Sequence, residues 1–502
     1  MTENIVAALS MAFSLNSILF IFIGVLGGII FGSIPGLTAT MGVAILIPLT
    51  YGMAPHEAIL LLAGVYNGAM YGGSIAAILV NIPGTPSSIA TNLDGYPMAK
   101  SGNAGRAVGL ATVGSFLGGL FSVIVLTLAA PQLAKAALMF SAPEYFALAI
   151  FGLSIIASIS GKSVIIGLLA GLLGMFIATI GMDPIESYPR FTFGSPNLLG
   201  GIDLLPLMIG LFGLSEVMMQ VVDKSEIKVT KQKLKGVIPK LSEIMKYKFT
   251  IFRSSVIGTF IGAVPAAGGP IASLLAYNEA KRTSKRGENF GNGEGEGIVA
   301  AETANNATCG GALIPLMTLS IPGDGVTAVM LGAFMIHNIQ PGPLLFRDNG
   351  DLVFSIFIGM GIAVVFLLIL GLLGAGLFAR ALSVPKHFLM PGIVLLCVVG
   401  SYAVRNSLFD VIVMLVMGFV GFLMLRAKIP LAPVILGLIL GPMAEANFRR
   451  AMLANDGNPL VFITSPISGV ILLITVIVLF MPLFKKMKIN TKKNNNHTKS
   501  IE

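Results

Sequence analysis

The sequence has no tryptophan, two cysteines and four histidines, and few charges: Asp, Glu, Lys and Arg make up 11% of 502 residues. A soluble domain carries about 25% charged residues, so this chain cannot cover a water-facing surface. Without tryptophan, any aromatic belt must use tyrosine and phenylalanine. Cys309 and Cys397 both stand in apolar sequence, which suits packed thiols better than a disulfide or a metal pair. His56, His337, His387 and His497 form no H-E-x-x-H, so no metal site is expected. GDG at 323–325 lacks a second transmembrane aspartate in a fitting context, which speaks against an aspartyl protease. SGKS at 160–163 ends like a Walker A motif, but position 156 is Ile rather than Gly. GNGEGEG at 291–297 has no lysine and reads as a flexible polar loop. No enzyme and no cofactor are expected. The N-terminal MTENIVAALS lacks the basic stretch of a signal peptide and is expected to remain on the mature protein.

What is present is hydrophobicity. Apolar residues make up 55% of the chain, and the mean hydropathy is +0.89. Runs such as FSIFIGMGIAVVFLLILGLLGAGLF (354–378) are long enough to cross about 30 Å of hydrocarbon as helix. The alternating segments of a membrane barrel are missing. The expected fold is therefore an all-α polytopic membrane protein. Its 60 glycines and 27 prolines are tolerable in membrane helices. The net charge of +9 gathers at 223–253, at KRTSKR (281–286) and after Lys485. The positive-inside rule explains these clusters better than nucleic-acid binding and places them in the cytoplasm.

The chain reads as two copies of one unit. FGSIPG (31–36) matches IGAVPA (261–266), and NGAMYGG (67–73) matches NNATCGG (305–311). NIPG (81–84) matches SIPG (320–323), PEYF (143–146) matches PKHF (385–388), and Pro206 with Gly210 matches Pro433 with Gly437. The offsets are 230, 238, 239, 242 and 227, collinear along the chain. The expected organisation is a first transmembrane repeat at 14–222, a basic cytoplasmic linker at 223–250 and a second repeat at 251–446. An extra transmembrane helix at 462–484 and a basic cytoplasmic tail at 485–502 follow. An odd number of crossings per repeat makes the repeats inverted, with the N-terminus outside and the C-terminus inside. Inverted repeats with midplane sites are a signature of secondary transporters.

Broken, hydroxyl-rich backbone interrupts the apolar runs twice, in NIPGTPSS (81–88) and SIPGDGVT (320–327). Irregular backbone at membrane depth is tolerated only where protein or water satisfies it. In the first break Pro83 and Pro86 forbid regular helix, and Gly84 would let the backbone approach a ligand. Asn81, Thr85, Ser87 and Ser88 supply polar groups, and free N–H groups where a helix restarts suit a carboxylate. In the second break Pro322, Gly323, Gly325 and Thr327 repeat the pattern, while Asp324 brings a charge for Na⁺ or a proton. Asn67, Asn305 and Asn306 add amides. Further helix breaks are expected at Pro35 and Gly36, and at Pro265, Gly268 and Gly269. There the arms of 254–280 are too short to span alone and imply a re-entrant hairpin. The competing reading of each Pro-Gly pair is an ordinary turn between spans. Asp94 fits either a membrane-depth ligand or the first charge of a polar loop, and Glu302 either an ion-coupling group or an interfacial one. Glu216 and Glu445 read as solvated span ends.

At these residues the sequence resembles a known family. GSIPGLTAT, GGSIAAILVNIPGTPSS with DGYPMA, and IPGDGVTAVMLGAF are similar to the large membrane subunit of the tripartite tricarboxylate transporters. The resemblance runs over about residues 15–485. It implies uptake of citrate or related di- and tricarboxylates across the bacterial cytoplasmic (inner) membrane, driven by an ion gradient. It also implies a small integral membrane subunit and a periplasmic solute-binding protein as partners. Asn81 to Ser88 and Pro322 to Thr327 would form the family's core. A stand-alone carrier or a passive channel for another small solute is the alternative, although no ring of pore-lining charge is visible.

Overall fold

A computed structural model describes residues 2–159, 164–222, 234–265, 267–382, 386–477 and 479. The SGKS run, residues 223–233 of the joining loop, Ala266 and the basic tail lie outside the described residues. The chain packs as two units, Met1–Leu138 with Asp203–Arg426, and Met139–Ile202 with Ala427–Glu502. Each unit draws on both halves of the sequence.

Both broken segments belong to the first unit. Its helices used below are α1 (Leu15–Ser33), α2 (Ala39–Leu46), α3 (Pro55–Val80), α4 (Ile89–Met98) and α5 (Ala104–Ala137). After the joining loop come α6 (Lys248–Ala263), α7 (Gly268–Thr283), α8 (Gly295–Leu319), α9 (Gly325–Ile336) and α10 (Gly350–Leu373). Among the described residues, six helices are long and apolar enough to cross a membrane by length and composition. They include α1, α3, α10 and the helix Pro86–Ala137, which runs from the end of the first break through α5. The all-α expectation therefore describes the fold, which is helical with only two two-residue strands among the described residues.

Small residues decide how these helices pack. In lipid no hydrophobic force draws helices together, so close van der Waals approach must hold them. Gly24, Gly28 and Gly32 of α1 meet Leu61, Val65 and Ala69 of α3, in that order, so the two helices run the same way. A methyl group at Gly28 would stand 2.9 Å from the Ala69 amide nitrogen. Gly68 and Gly72 present the reciprocal contacts to Val25 and Ile29. The same arrangement recurs between α6 and α8, where Gly258 and Gly262 meet Ala304 and Thr308, and Gly311 meets Thr259. Around the first pair a buried core joins Ile21, Val25 and Ile29 to Ile75, Ile78, Leu110, Val299 and Leu367.

The return segments between the parallel helices are short. Helices α6 and α7 have 16 residues each and meet at the non-helical stretch around Val264 and Pro265. In the first half α1 has 19 residues and α2 only 8, with Thr38 capping α2 through the Met41 amide at 3.2 Å. The break between them is the turn at Pro35 and Gly36, where Gly36 takes φ +94°. A side chain at Gly36 would collide with Gln220.

The second unit packs Ala142–Ile159 and Val164–Ala178 against Ala432–Ala454. Its loop holds two two-residue strands, Gly181–Met182 and Pro189–Arg190, paired antiparallel, within an otherwise helical unit. Glu445 is not a free span end. It accepts from Arg190 at 2.6 Å and lies 3.6 Å from Arg449, which also pairs with Asp183 and Glu186 at 2.6 Å each. The extra segment expected at 462–484 begins with a short helix Val461–Thr464, breaks at Ser465 and continues as the apolar helix Pro466–Ile477.

Candidate functional site

The first break starts where α3 ends. Asn81 takes a left-handed conformation, φ 59°, which stops the helix, and Pro83 disfavours helix at the residue before it. The chain then doubles back, and the Gly84 amide donates to the Gly73 carbonyl at 3.2 Å. A side chain at Gly84 would stand 2.9 Å from the Gly73 α-carbon and would fall onto the Gly32 carbonyl oxygen. The close approach that Gly84 permits is thus to α1 and α3. Thr85 is extended and leads into the turn Pro86–Ser88. Its hydroxyl lies 3.0 Å from that of Ser87 and 2.9 Å from that of Ser88. Thr85, Ser87 and Ser88 are buried, whereas Asn81 and Pro86 are exposed.

The second break repeats this path. Ser320 ends α8 in the left-handed conformation, φ 58°, and its hydroxyl donates to the Pro341 carbonyl at 2.6 Å. Pro322 and Gly323 are buried, and a side chain at Gly323 would stand 2.5 Å from the Ala312 α-carbon. Asp324 caps α9. Its Oδ1 accepts from the Thr327 amide at 2.8 Å, and its own amide donates to the Thr327 hydroxyl at 2.9 Å. Its Oδ2 accepts from the Tyr66 hydroxyl at 2.5 Å. A carboxylate therefore occupies the positive end of α9, whereas the neutral Thr85 leads into the turn after the first break.

The α6–α7 hairpin touches both breaks. A side chain at Gly269 would meet Ser87 Cβ at 2.8 Å, Asn305 Oδ1 at 2.9 Å and Met70 Cε at 2.7 Å. The Ser273 hydroxyl donates to the Ser87 carbonyl at 2.7 Å. Gly268, at φ +59°, faces Asp324. Thr40 of α2 stands against Gly325 in the same way. The two breaks, Gly268 and Gly269 at the start of α7, and the start of α2 therefore surround one region.

Between them lie the asparagines, all fully buried. The Asn305 amide donates to the Met70 carbonyl at 2.9 Å and that of Asn306 to the Asn67 carbonyl at 3.3 Å. The Asn67 amide donates to the Ala63 carbonyl at 3.0 Å. Because Asn305 reaches residue 70 and Asn306 residue 67, α3 and α8 cross here in opposite directions. The side-chain oxygens of Asn67, Asn305 and Asn306 have no hydrogen-bond partner among the described residues. Buried polar atoms rarely stay unpaired, so each of these oxygens is an acceptor open to a donor or a cation, and that of Asn305 faces Gly269 beside Ser87.

The other two acidic candidates stand outside the two breaks in sequence, Asp94 on α4 and Glu302 one turn before Asn305 on α8. Asp94 is buried in α4, and its Oδ1 accepts from the amides of Gly291, Gly293 and Glu294 at 2.8 Å each. Its Oδ2 accepts from the Tyr277 hydroxyl at 2.8 Å. Four donors from its own chain make it the anchor of the glycine-rich loop. Glu302 is fully buried in α8 and accepts from the hydroxyls of Thr91 and, at 3.0 Å, Ser115. No ion-pair partner of Glu302 is present among the described residues. Sequence reasoning passed over Tyr66, Ser273, Thr91 and Ser115, which have no local motif. It also passed over the four-residue glycine spacing of α1 and α3, which was there to be read.

The fold and these breaks define a multi-pass helical membrane protein with polar, irregular backbone enclosed within one unit. A family model described as the tripartite tricarboxylate transporter TctA family matches residues 18–436, and the chain belongs to this family. Among curated proteins it is 38% identical over 456 residues to an "Uncharacterized 52.8 kDa protein in TAR-I ttuC' 3'region" of Agrobacterium vitis, covering 91% of each chain. It is 37% identical over 228 residues to an "Uncharacterized protein in TAR-II ttuC' 3'region" of the same organism, covering 45% of this chain and 94% of the relative. No solved structure matches.

Proposed function

We propose that the chain is the large transmembrane subunit of a binding-protein-dependent secondary transporter that imports organic carboxylates with a coupling cation, Na⁺ or H⁺. The observation that carries this reading is the convergence of both breaks and the α6–α7 hairpin on one region of one unit, with the unpaired Asn305 oxygen facing it. The substrate is a tricarboxylate such as citrate, or a related dicarboxylate, delivered by a periplasmic solute-binding protein. A small integral membrane subunit completes the complex in the bacterial inner membrane.

Repetition supports alternating access. Gly32 with Ala69 corresponds to Gly262 with Thr308, and Gly72 with Ile29 to Gly311 with Thr259. These contacts recur at offsets of 230 and 239, the second shared by the two breaks rather than the 238 of the asparagine frame. Asn67 and Asn306 are then equivalent positions that touch each other where α3 and α8 cross. Such a contact between equivalent positions supports reading the two halves as an inverted repeat. At the same offset Thr85 corresponds to Asp324 and Ser88 to Thr327. We assign the anion to the neutral first break, with its hydroxyls, and the cation to the side of Asp324 and Tyr66. Neither break holds a basic side chain, so hydroxyls, amides and backbone N–H groups must bind the carboxylates.

The test is uptake of labelled citrate into vesicles that hold the chain with its two partners, with and without an ion gradient. Dependence on the gradient and on the binding protein is expected. Asp324→Asn should change the ion dependence more than the choice of substrate. Uptake indifferent to any gradient and to the binding protein would leave a channel or a stand-alone carrier.

A further inference from the structure

A groove of about 760 Å³ opens where the joining loop meets the bases of α5, α6 and α7, far in sequence from either break. Six basic side chains line it, Arg106, Lys240, Lys246, Arg253, Lys285 and Arg286, against two acidic ones. Both acids are engaged. Glu243 accepts from Arg106 Nε at 2.8 Å. Glu296 accepts from the hydroxyls of Thr250 at 2.5 Å and Ser284 at 2.6 Å. Among the described residues, Lys240, Lys246, Lys285 and Arg286 have no ion-pair partner, and all four are exposed. The groove is therefore a pocket of uncompensated positive charge.

The neighbouring surface says what kind of anion fits. Phe249 lines the groove, and Phe252, Val256 and Phe260 continue from it along α6. The spacing puts them on one face of the helix, and all four are exposed. A cationic pocket that runs directly into an apolar helix face fits a molecule with an anionic head and hydrocarbon tails. A free anion would use the pocket but leave the stripe unexplained. We propose that this groove binds the phosphate headgroup of an anionic phospholipid, in the leaflet that faces the joining loop, with its acyl chains along Phe249, Phe252, Val256 and Phe260. The bound lipid would clamp the two ends of the α6–α7 hairpin, through Arg253 on one arm and Lys285 and Arg286 beyond the other. The apex of that hairpin touches Ser87, so the lipid would steady one wall of the site. The proposal stands whatever solute is carried.

Native mass spectrometry of the full-length chain in neutral detergent tests it, with phosphatidylglycerol, phosphatidylcholine and inorganic phosphate as probes. One basic residue near an anionic lipid surface is worth roughly fivefold in affinity. Phosphatidylglycerol should be retained in preference to phosphatidylcholine. The triple change Lys240→Gln, Lys285→Gln and Arg286→Gln should weaken that retention on the order of a hundredfold. Lys240→Arg with Lys285→Arg should keep it, and the single change Lys285→Gln should lose roughly fivefold if the triple variant does not fold. Equal retention of both lipids, or unchanged affinity in the folded triple variant, would overturn the proposal. Displacement of phosphatidylglycerol by millimolar inorganic phosphate would overturn the lipid as occupant and leave a site for a soluble phosphate-bearing anion.

Discussion

Replacing Gly323 by Ala adds one methyl group at the most crowded point of the second break. Its Cβ would lie 2.5 Å from the Ala312 α-carbon, 2.7 Å from the Ala312 methyl and closer still to the Gly262 carbonyl oxygen. Carbon atoms settle about 3.5–4.0 Å apart, so the chain leading into α9 must shift by roughly 1 Å. Overpacking of this sort costs about 1–3 kcal/mol. None of the three obstacles can rotate away, since two are backbone atoms and the third is an alanine Cβ fixed by its backbone, so about 2–3 kcal/mol is expected. That is roughly a 30- to 150-fold shift away from the intact arrangement. Gly325→Ala is the internal control, because its nearest neighbour would be the Thr40 hydroxyl at an ordinary 3.4 Å. Denaturant unfolding of the purified chain and citrate uptake by the whole complex should both fall for Gly323→Ala and barely change for Gly325→Ala. If the two variants behave alike, the close approach of the break to α6 and α8 is not what holds it, and the packing argument fails.

Asp94→Ala orphans the amides of Gly291, Gly293 and Glu294 at about 1–3 kcal/mol per buried donor, so limited proteolysis should cut the 290–294 loop. If the loop stays protected while ion dependence changes, Asp94 is a ligand after all. In the 180–203 loop, the amides of Glu186 and Ile185, then Arg449, hold the Asp183 carboxyl down to about 2. A depressed carboxyl stabilises the fold above its unfolded value and loses that effect on acidification. Protection of the Ile185 and Glu186 amides from hydrogen exchange should thus hold at pH 5 and fall from about pH 4 through about 2. Asp183→Asn should flatten that profile, and an unchanged profile would rule out Asp183 as its source. A cysteine at position 235 in a background without Cys309 and Cys397 should resist an impermeant thiol reagent in intact cells, and labelling from outside would reverse the assigned orientation.

The sequence alone determined the solvent and the interruptions. Eleven per cent charge leaves only a bilayer, and closely spaced Pro-Gly pairs such as Pro83 with Gly84 and Pro322 with Gly323 mark interruptions through local backbone chemistry. The short arms either side of Pro265 were legible for the same local reason, and PGTPSS with DGYPMA carried the family. Tertiary structure decided what each polar group faces. Tyr66 and Asp324 meet across 258 positions, and the Gly291 amide reaches Asp94 across 197. No local pattern encodes such pairs. Gly84 is the instructive residue. Its type announced a close approach, but only the parallel packing of α1 on α3 determined that the Gly32 carbonyl would fill the space. Composition and backbone chemistry act within a few residues, whereas side-chain partners follow from which helices pack together and in which direction. Here that packing depends on glycines whose meaning appears only when two helices meet.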